Sequence, residues 1–241
     1  MNRKSGYLLI GIDDTDNADS RGTGYHARQL AHILEEQGIG QVHGITRHQL
    51  FIDPAIPYTS QNSSACIQIT ATDKDATIQT CAGYLLENSA PGSDAGLCVC
   101  NTGKVNDEIL NWGNSAKVRV LNMTDAFDLA RSESIYLEGF TGTHEGVIGA
   151  LAAVGLHAGG NDGRYVWRRG IKELREIGEG VFTAGQLSHE LKLDEISSLE
   201  GEQPEQNELI LTNDWVRPLR RNHKVVLITQ RTINNDKYEW E

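Results

Sequence analysis

No stretch of the 241-residue chain holds the roughly 20 consecutive apolar residues that a helix needs to cross a bilayer. Asp13 interrupts the first apolar run, so no secretory hydrophobic core follows the charged N-terminus and a cytoplasmic location is expected, with no membrane partner. Cysteines are few: Cys66, Cys81, Cys98 and Cys100 form no C-x-x-C pair and no zinc-site spacing, so buried free thiols are expected. Cys98 and Cys100, two apart on a strand, share one face. Positive charge is scarce too. The 22 Lys and Arg against 33 Asp and Glu leave a net charge of −11, a field that repels polyanions. Nucleic-acid binding rests on Lys and Arg contacts to phosphate, so a dedicated RNA binder is disfavoured. The basic residues do gather at Arg164, Arg168, Arg169 and Lys172 and at Arg217, Arg220, Arg221 and Lys224, which leaves a local patch open.

What is present reads as alternating strands and helices. Tyr7–Ile12, Ala65–Thr70, Gly96–Asn101 and Ile135–Phe140 are strand-like, and Gln41–Ile52 is extended, with Pro54 and Pro57 in a loop behind it. Gly24–Gln37 carries Ala27, Leu30, Ala31 and Leu34 as a helical stripe ended by Gly38 and Gly40. Helices are also expected over Asp75–Asn88, Asp107–Trp112, Asp125–Arg131 and Ala184–Leu193, and Val147–Val154 is apolar enough to be buried all round. Tyr165–Trp167, Leu209–Thr212 and Val225–Thr229 are late strands, with an acidic connector at 199–207. The length suits one large α/β domain or two small ones, and the fold class is α/β (α+β), mixed sheets with packed helices.

The chemistry concentrates in Asp13-Asp14-Thr15-Asp16, at the mouth of the first strand, followed by Arg21-Gly22-Thr23-Gly24 at a helix start. Asp13 and Asp14 are expected to leave the strand on opposite faces, with Asp16 turning back toward one of them. Two carboxylates, waters and phosphate oxygens suit Mg²⁺, and free N–H groups at a helix start favour an anion. Gly22 and Gly24 leave room for a nucleotide to approach the backbone. The plain alternative is an Asx-rich turn in which Asp14 or Asp16 caps the helix. Thr143-His144-Glu145-Gly146 is a second candidate anion site at a helix start, or simply a Thr N-cap with Glu145 in the first turn. Gly159–Gly170 combines Asp162, Tyr165, Trp167 and three arginines, suited to a phosphate, a stacked base or a guanidinium, or else to a hairpin with a solvated basic edge.

Three ordered stretches resemble the TiaS family, tRNA-isoleucine agmatinylcytidine synthetases: GIDDTD with Thr23 and Tyr25 behind it, DPAIPYTSQNSSA at Asp53–Ala65, and GVIGALAAVG at Gly146–Gly155. The resemblance implies an ATP-using, magnesium-dependent, kinase-like enzyme that phosphorylates the wobble cytidine and lets agmatine displace the phosphate. It also implies two small subdomains, one ferredoxin-like, within a single unit spanning 1–241 whose internal boundary stays unassigned. The family's acidic motif falls on Asp13, Asp14 and Asp16, and its autophosphorylated threonine on Thr23. A cysteine and a second threonine of the family pattern are missing around Thr23. Thr59, Ser60 and Gln61 stand where the family carries basic residues, although Asn62 remains. No zinc ribbon and no OB-fold is expected at the C-terminal end.

Together these readings point to an ATP- and Mg²⁺-dependent phosphoryl transferase or ligase, with an amine displacing the phosphate as an optional second step. Asp13, Asp14, Asp16 and Thr23 are the candidate catalytic residues, with Asp13 and Asp16 as metal ligands. Gly22, Gly24, Thr143, Glu145 and Gly146 are candidate nucleotide contacts, and Asn62, Asp162 and Tyr165 candidate substrate contacts. Expected partners are a nucleotide, an unidentified acceptor with an amine as one candidate, and a second copy of the chain. Binding of tRNA by this chain alone is expected to be weak or absent. The alternatives are a nucleotide-binding regulatory module without turnover, and a tRNA modifier served by a separate RNA-binding subunit.

Overall fold

The computed structural model describes residues 6–56, 61–171, 173–213, 215–234 and 237–240; Met1–Ser5, Pro57, Tyr58, Thr59, Ser60 and Lys172 of the sequence reading lie outside them. The chain divides into two units, Met1–Gly159 and Gly160–Glu241. Among the described residues no helix is long and apolar enough to cross a membrane.

Unit 1 runs β1 (Leu8–Asp13), α1 (Thr23–Glu36), β2 (Gly40–Gln49), β3 (Ser63–Ala71), α2 (Lys74–Asn88), β4 (Gly96–Asn101), α3 (Asp107–Ser115), α4 (Met123–Ser132), β5 (Tyr136–Gly139) and α5 (Val147–Gly159). Its strands lie in the order β5-β4-β1-β3-β2, every neighbouring pair antiparallel. The first six elements, β-α-β-β-α-β with the strands ordered 4-1-3-2, form the ferredoxin-like arrangement. The mixed α/β class read from the sequence is therefore the observed one.

The central strand explains the layering. Leu8, Leu9, Ile10 and Ile12 of β1 are all buried, so both faces of the sheet need cover. α1 packs on β2 and β3 from one side through Ala27, Leu30, Ala31 and Leu34, the stripe that the sequence shows. α5 lies against β1, β3 and β4 on the other, joined by α3 and α4. Leu9, Cys66, Cys98 and Cys100 belong to the α5-side core with Ala150, Leu151 and Val154. All four cysteines are buried free thiols.

Small residues set how closely α5 approaches. A Cβ on Gly11 would fall 2.0 Å from the Ala150 carbonyl oxygen, and one on Gly155 2.3 Å from that of Ile109. Nothing larger than hydrogen fits at either position while the helix stays where it is. The glycines and alanines of GVIGALAAVG are thus the contact surface of a helix drawn tightly under β1.

Unit 2 holds β6 (Arg164–Arg168), β7 (Gly180–Thr183), α6 (Ala184–Leu191), β8 (Glu195–Ser197), β9 (Leu209–Thr212), β10 (Leu219–Arg221), β11 (Lys224–Ile228), β12 (Arg231–Asn234) and β13 (Lys237–Trp240). β6-β10-β11-β8 and β12-β13-β9-β7 are its strand orders. Thr183 and Gln186 form a capping box at the start of α6. Tyr165, Leu174, Leu187, Leu191, Ile196, Ile210 and Leu227 form the core. Glu200, Glu202 and Glu205 of the acidic connector are exposed between β8 and β9.

Candidate functional site

Asp13 is the last residue of β1 and shares the α5 face with Leu9 and Gly11, because side chains alternate along the strand. A Cβ on Gly149 would lie 1.7 Å from Asp13 Oδ2, so the carboxylate occupies a notch that Gly149 leaves in α5. It keeps some solvent contact, yet burial, with Asp14 and Asp16 close by, pushes its pKa up to about 8. Asp14 has φ 49, in the left-handed region that aspartate tolerates better than most residues. That rotation ends the strand alternation. Instead of leaving on opposite faces, Asp13 and Asp14 line one pocket. Burial, then Asp94, Asp16 and Glu145, raise Asp14 to about 6.

Asp16 turns back on the start of α1. Its Oδ1 accepts from the Thr23 amide at 3.0 Å and from the Thr23 hydroxyl at 2.9 Å. Thr15 donates to Thr23 Oγ1 at 3.3 Å, and Thr23 is 6% exposed. Gly22 is the N-cap of α1 and makes no side-chain cap, so Asp16 supplies that bond from the preceding turn. A second clamp holds the same turn: His26 Nδ1 lies 2.9 Å from Tyr84 Oη on α2, and the ring also bonds the Arg21 backbone. Burial lowers the His26 pKa, which favours the neutral ring in which Nδ1 accepts from the tyrosine.

A cavity of ≈ 230 Å³ gathers Asp13, Asp14, Asp16, Thr23, Asn62, Glu145 and Gly146. Its wall is apolar: Leu50, Ile56, Val120, Leu121, Met123 and Ile148. Gly22 and Gly24 sit at the start of α1 beside it, outside the lining residues. Asn62 donates to the Phe51 carbonyl at 2.6 Å and so also closes its own loop. The helix start at 143–146 is already engaged. Asp94 accepts from the Thr143 amide through its side chain and from the Gly146 amide through its carbonyl, at 2.9 Å for the latter, while His144 N–H donates to Thr141 O at 3.2 Å. Thr143 is exposed and lies outside the cavity lining; Glu145 and Gly146 reach it.

Asp162 and Tyr165 belong to unit 2. Tyr165 is 5% exposed; its hydroxyl accepts from Arg220 at 2.9 Å, and the Arg168 guanidinium lies 5.2 Å from its ring. The guanidinium groups that Tyr165 meets are those of its own unit. Trp167 likewise has Arg169 over its ring at 5.9 Å.

Solved structures with a similar fold include those of TiaS, an agmatidine synthetase of an isoleucine tRNA. The apo enzyme superposes with a TM-score of 0.54 at 23% identity, over 62% of this chain and 35% of that one. Its complex with that tRNA and ATP gives 0.55 at 23%, over 62% and 36%. The complex with the tRNA, AMPCPP and agmatine gives 0.54 at 22%, over 62% and 36%. At these identities the likeness establishes a shared fold, and the chain spans about a third of each TiaS chain. No protein-family profile and no curated protein matches the chain.

Sequence reasoning overlooked two parts of the pocket and one carboxylate beside it. Asp94 adds a fifth carboxylate close to Asp14. The connector 116–123 supplies Ala116, Arg119, Val120, Leu121, Asn122 and Met123, and Leu50 comes from the end of β2. Only Asn122 carried a local signal: it caps α4 by accepting from the Asp125 amide at 2.9 Å.

Proposed function

We propose that the unit 1 pocket binds a magnesium–nucleotide and transfers a phosphoryl group by way of Thr23, making the chain an ATP-dependent phosphoryl transferase or ligase. The observation that carries this reading is the Asp16–Thr23 pair: a hydroxyl donating to a carboxylate at 2.9 Å inside a pocket lined by three further acids. Carboxylates so crowded repel a polyphosphate, and a divalent cation reverses that repulsion. The donor set is all hard oxygen, which suits Mg²⁺. Among the described residues no three His, Cys, Asp or Glu side chains are grouped to hold a metal by themselves. Asp13 and Asp16 would hold the ion together with waters and phosphate oxygens. When bound, magnesium supplies positive charge against the phosphate oxygens.

In the transfer step Asp16 Oδ1 takes the hydroxyl proton as Thr23 Oγ1 bonds to the γ-phosphorus, and the bond from that phosphorus to the bridging oxygen breaks to release ADP. The apolar wall of Ile56, Val120, Leu121, Met123 and Ile148 takes the base or an alkyl chain and excludes water. The TiaS complexes with ATP or AMPCPP, tRNA and agmatine support a nucleotide as one ligand of the pocket and an amine as a second.

A second reading draws on the burial of Thr23. A hydroxyl at 6% exposure that bonds its own helix-capping carboxylate also suits a nucleotide-binding module in which Thr23 is purely structural. Thr23→Ala separates the two. After incubation with γ-labelled ATP and Mg²⁺, one phosphate is expected on the peptide containing Thr23 and none in the variant. A wild type that is never labelled, with Thr23→Ala turning over ATP normally, would reduce the hydroxyl to a cap.

A further inference from the structure

Four carboxylates line the unit 1 pocket, yet among its described lining residues the basic side chain is Arg119 alone. It sits on the connector between α3 and α4, which is pinned on both sides. Phe51 N–H donates to Ala116 O at 2.9 Å, Lys117 Nζ donates to Gln49 O at 3.0 Å, and Asn122 caps α4. Between these anchors the Arg119 amide donates to Ser115 O at 3.1 Å and its guanidinium to Ser115 Oγ at 3.2 Å. That contact is the one its side chain makes among the described residues; no carboxylate of the pocket pairs with it.

A guanidinium presents five donors in a planar fork that matches two phosphate oxygens. Ser115 uses one donor and fixes the arginine at the rim. The pocket is thereby divided: acids at the end of β1 and the start of α1, an apolar wall of Val120, Leu121, Met123 and Ile148, and one cation on the wall-bearing connector. An anionic chain lying between acid floor and apolar wall meets its protein counter-charge at Arg119.

We propose that Arg119 is the phosphate-gripping residue of this pocket, pairing with the polyphosphate oxygens of a bound nucleotide; the proposal rests on the nucleotide reading above. Wild type, Arg119→Ala and Arg119→Lys are titrated calorimetrically with MgATP and with magnesium tripolyphosphate. Arg119→Ala is expected to weaken both probes at least about tenfold, and Arg119→Lys, which keeps the charge but loses the fork, to fall between. Arg119 is exposed, so the melting temperature of both variants stays at the wild-type value. Arg119→Ala binding both probes like wild type overturns the proposal and leaves the nucleotide reading standing. Loss of MgATP with tripolyphosphate binding unchanged also overturns it, since the contact would then be to the base. A wild type that binds neither probe removes the nucleotide reading and this proposal with it.

Discussion

In unit 1 acidic residues outnumber basic ones 18 to 10, and four of the acids face one pocket; in unit 2 the ratio is 15 to 12, and four of its arginines lie on aromatic rings. Arg168 covers Tyr165 at 5.2 Å, Arg169 covers Trp167 at 5.9 Å, and Trp215 is flanked by Arg175 at 5.5 Å and Arg217 at 4.4 Å. The two clusters look alike in the sequence, as runs of one charge, but differ in what satisfies them. These four arginines find aromatic partners in their own unit, a favourable arrangement with or without a ligand. The acids of unit 1 are held together at an electrostatic and desolvation cost, visible in the raised pKa values of Asp13 and Asp14. A cluster kept against its own repulsion is the better sign of a ligand of opposite charge.

The sharpest way to break that contrast is to remove one acid. Asp13→Asn and Asp16→Asn are each expected to weaken Mg-dependent ATP binding by more than about tenfold, about 1.4 kcal/mol. Unchanged calorimetric affinity in both would end the metal–nucleotide reading. In a chelator, without nucleotide, Asp13→Asn has the opposite effect on stability. The folded pKa of about 8 lies above the ordinary 3.8, so between those values the folded state holds a proton that the unfolded chain has lost. Stability from this group is therefore full below pH 4, falls as pH rises, and levels off above 8. The melting temperature of Asp13→Asn relative to wild type is expected to climb across that window. A difference that stays flat from pH 4 to 8 would show that Asp13 is not held protonated.

The next effect concerns the floor of the pocket rather than its charge. Gly11→Ala places a methyl against the Ala150 carbonyl and should destabilise the fold by about 1–3 kcal/mol as β1 and α5 are forced apart. Nucleotide affinity should fall as well, because α5 carries Gly149, the notch for Asp13. Chemical denaturation and calorimetry on one sample test both; unchanged stability would mean that α5 is not seated as described.

The smallest effect lies in unit 2. Tyr165→Phe removes the hydroxyl that accepts from Arg220 and should cost about 1 kcal/mol of stability, with MgATP affinity in unit 1 unaltered. A clear loss of nucleotide affinity would bring Tyr165 back as a ligand contact and erase the contrast between the two units.

Much of this is legible in the residues themselves. β1 and α5 announce their burial by apolar content, α1 by its stripe, and the acidic turn by three carboxylates in four positions, because period and composition are local properties. The short strands Gly180–Thr183, Glu195–Ser197 and Leu219–Arg221 escape such reading, since three or four residues hold too little alternation to separate strand from loop.

The sequence by itself determined the mixed α/β class, the buried thiols, the acidic turn and the pairing of a carboxylate with a helix start. Tertiary structure alone decided that Asp13 and Asp14 face the same way, through one left-handed residue. It also decided that Gly149 makes room for a carboxylate, and that a connector far downstream of the turn supplies half of the apolar wall and its arginine. The physical reason is that a strand's pattern reports which side is buried but not against what. The partner surface exists only once α5, drawn in through Gly11 and Gly155, has brought α3 and its connector to the end of β1.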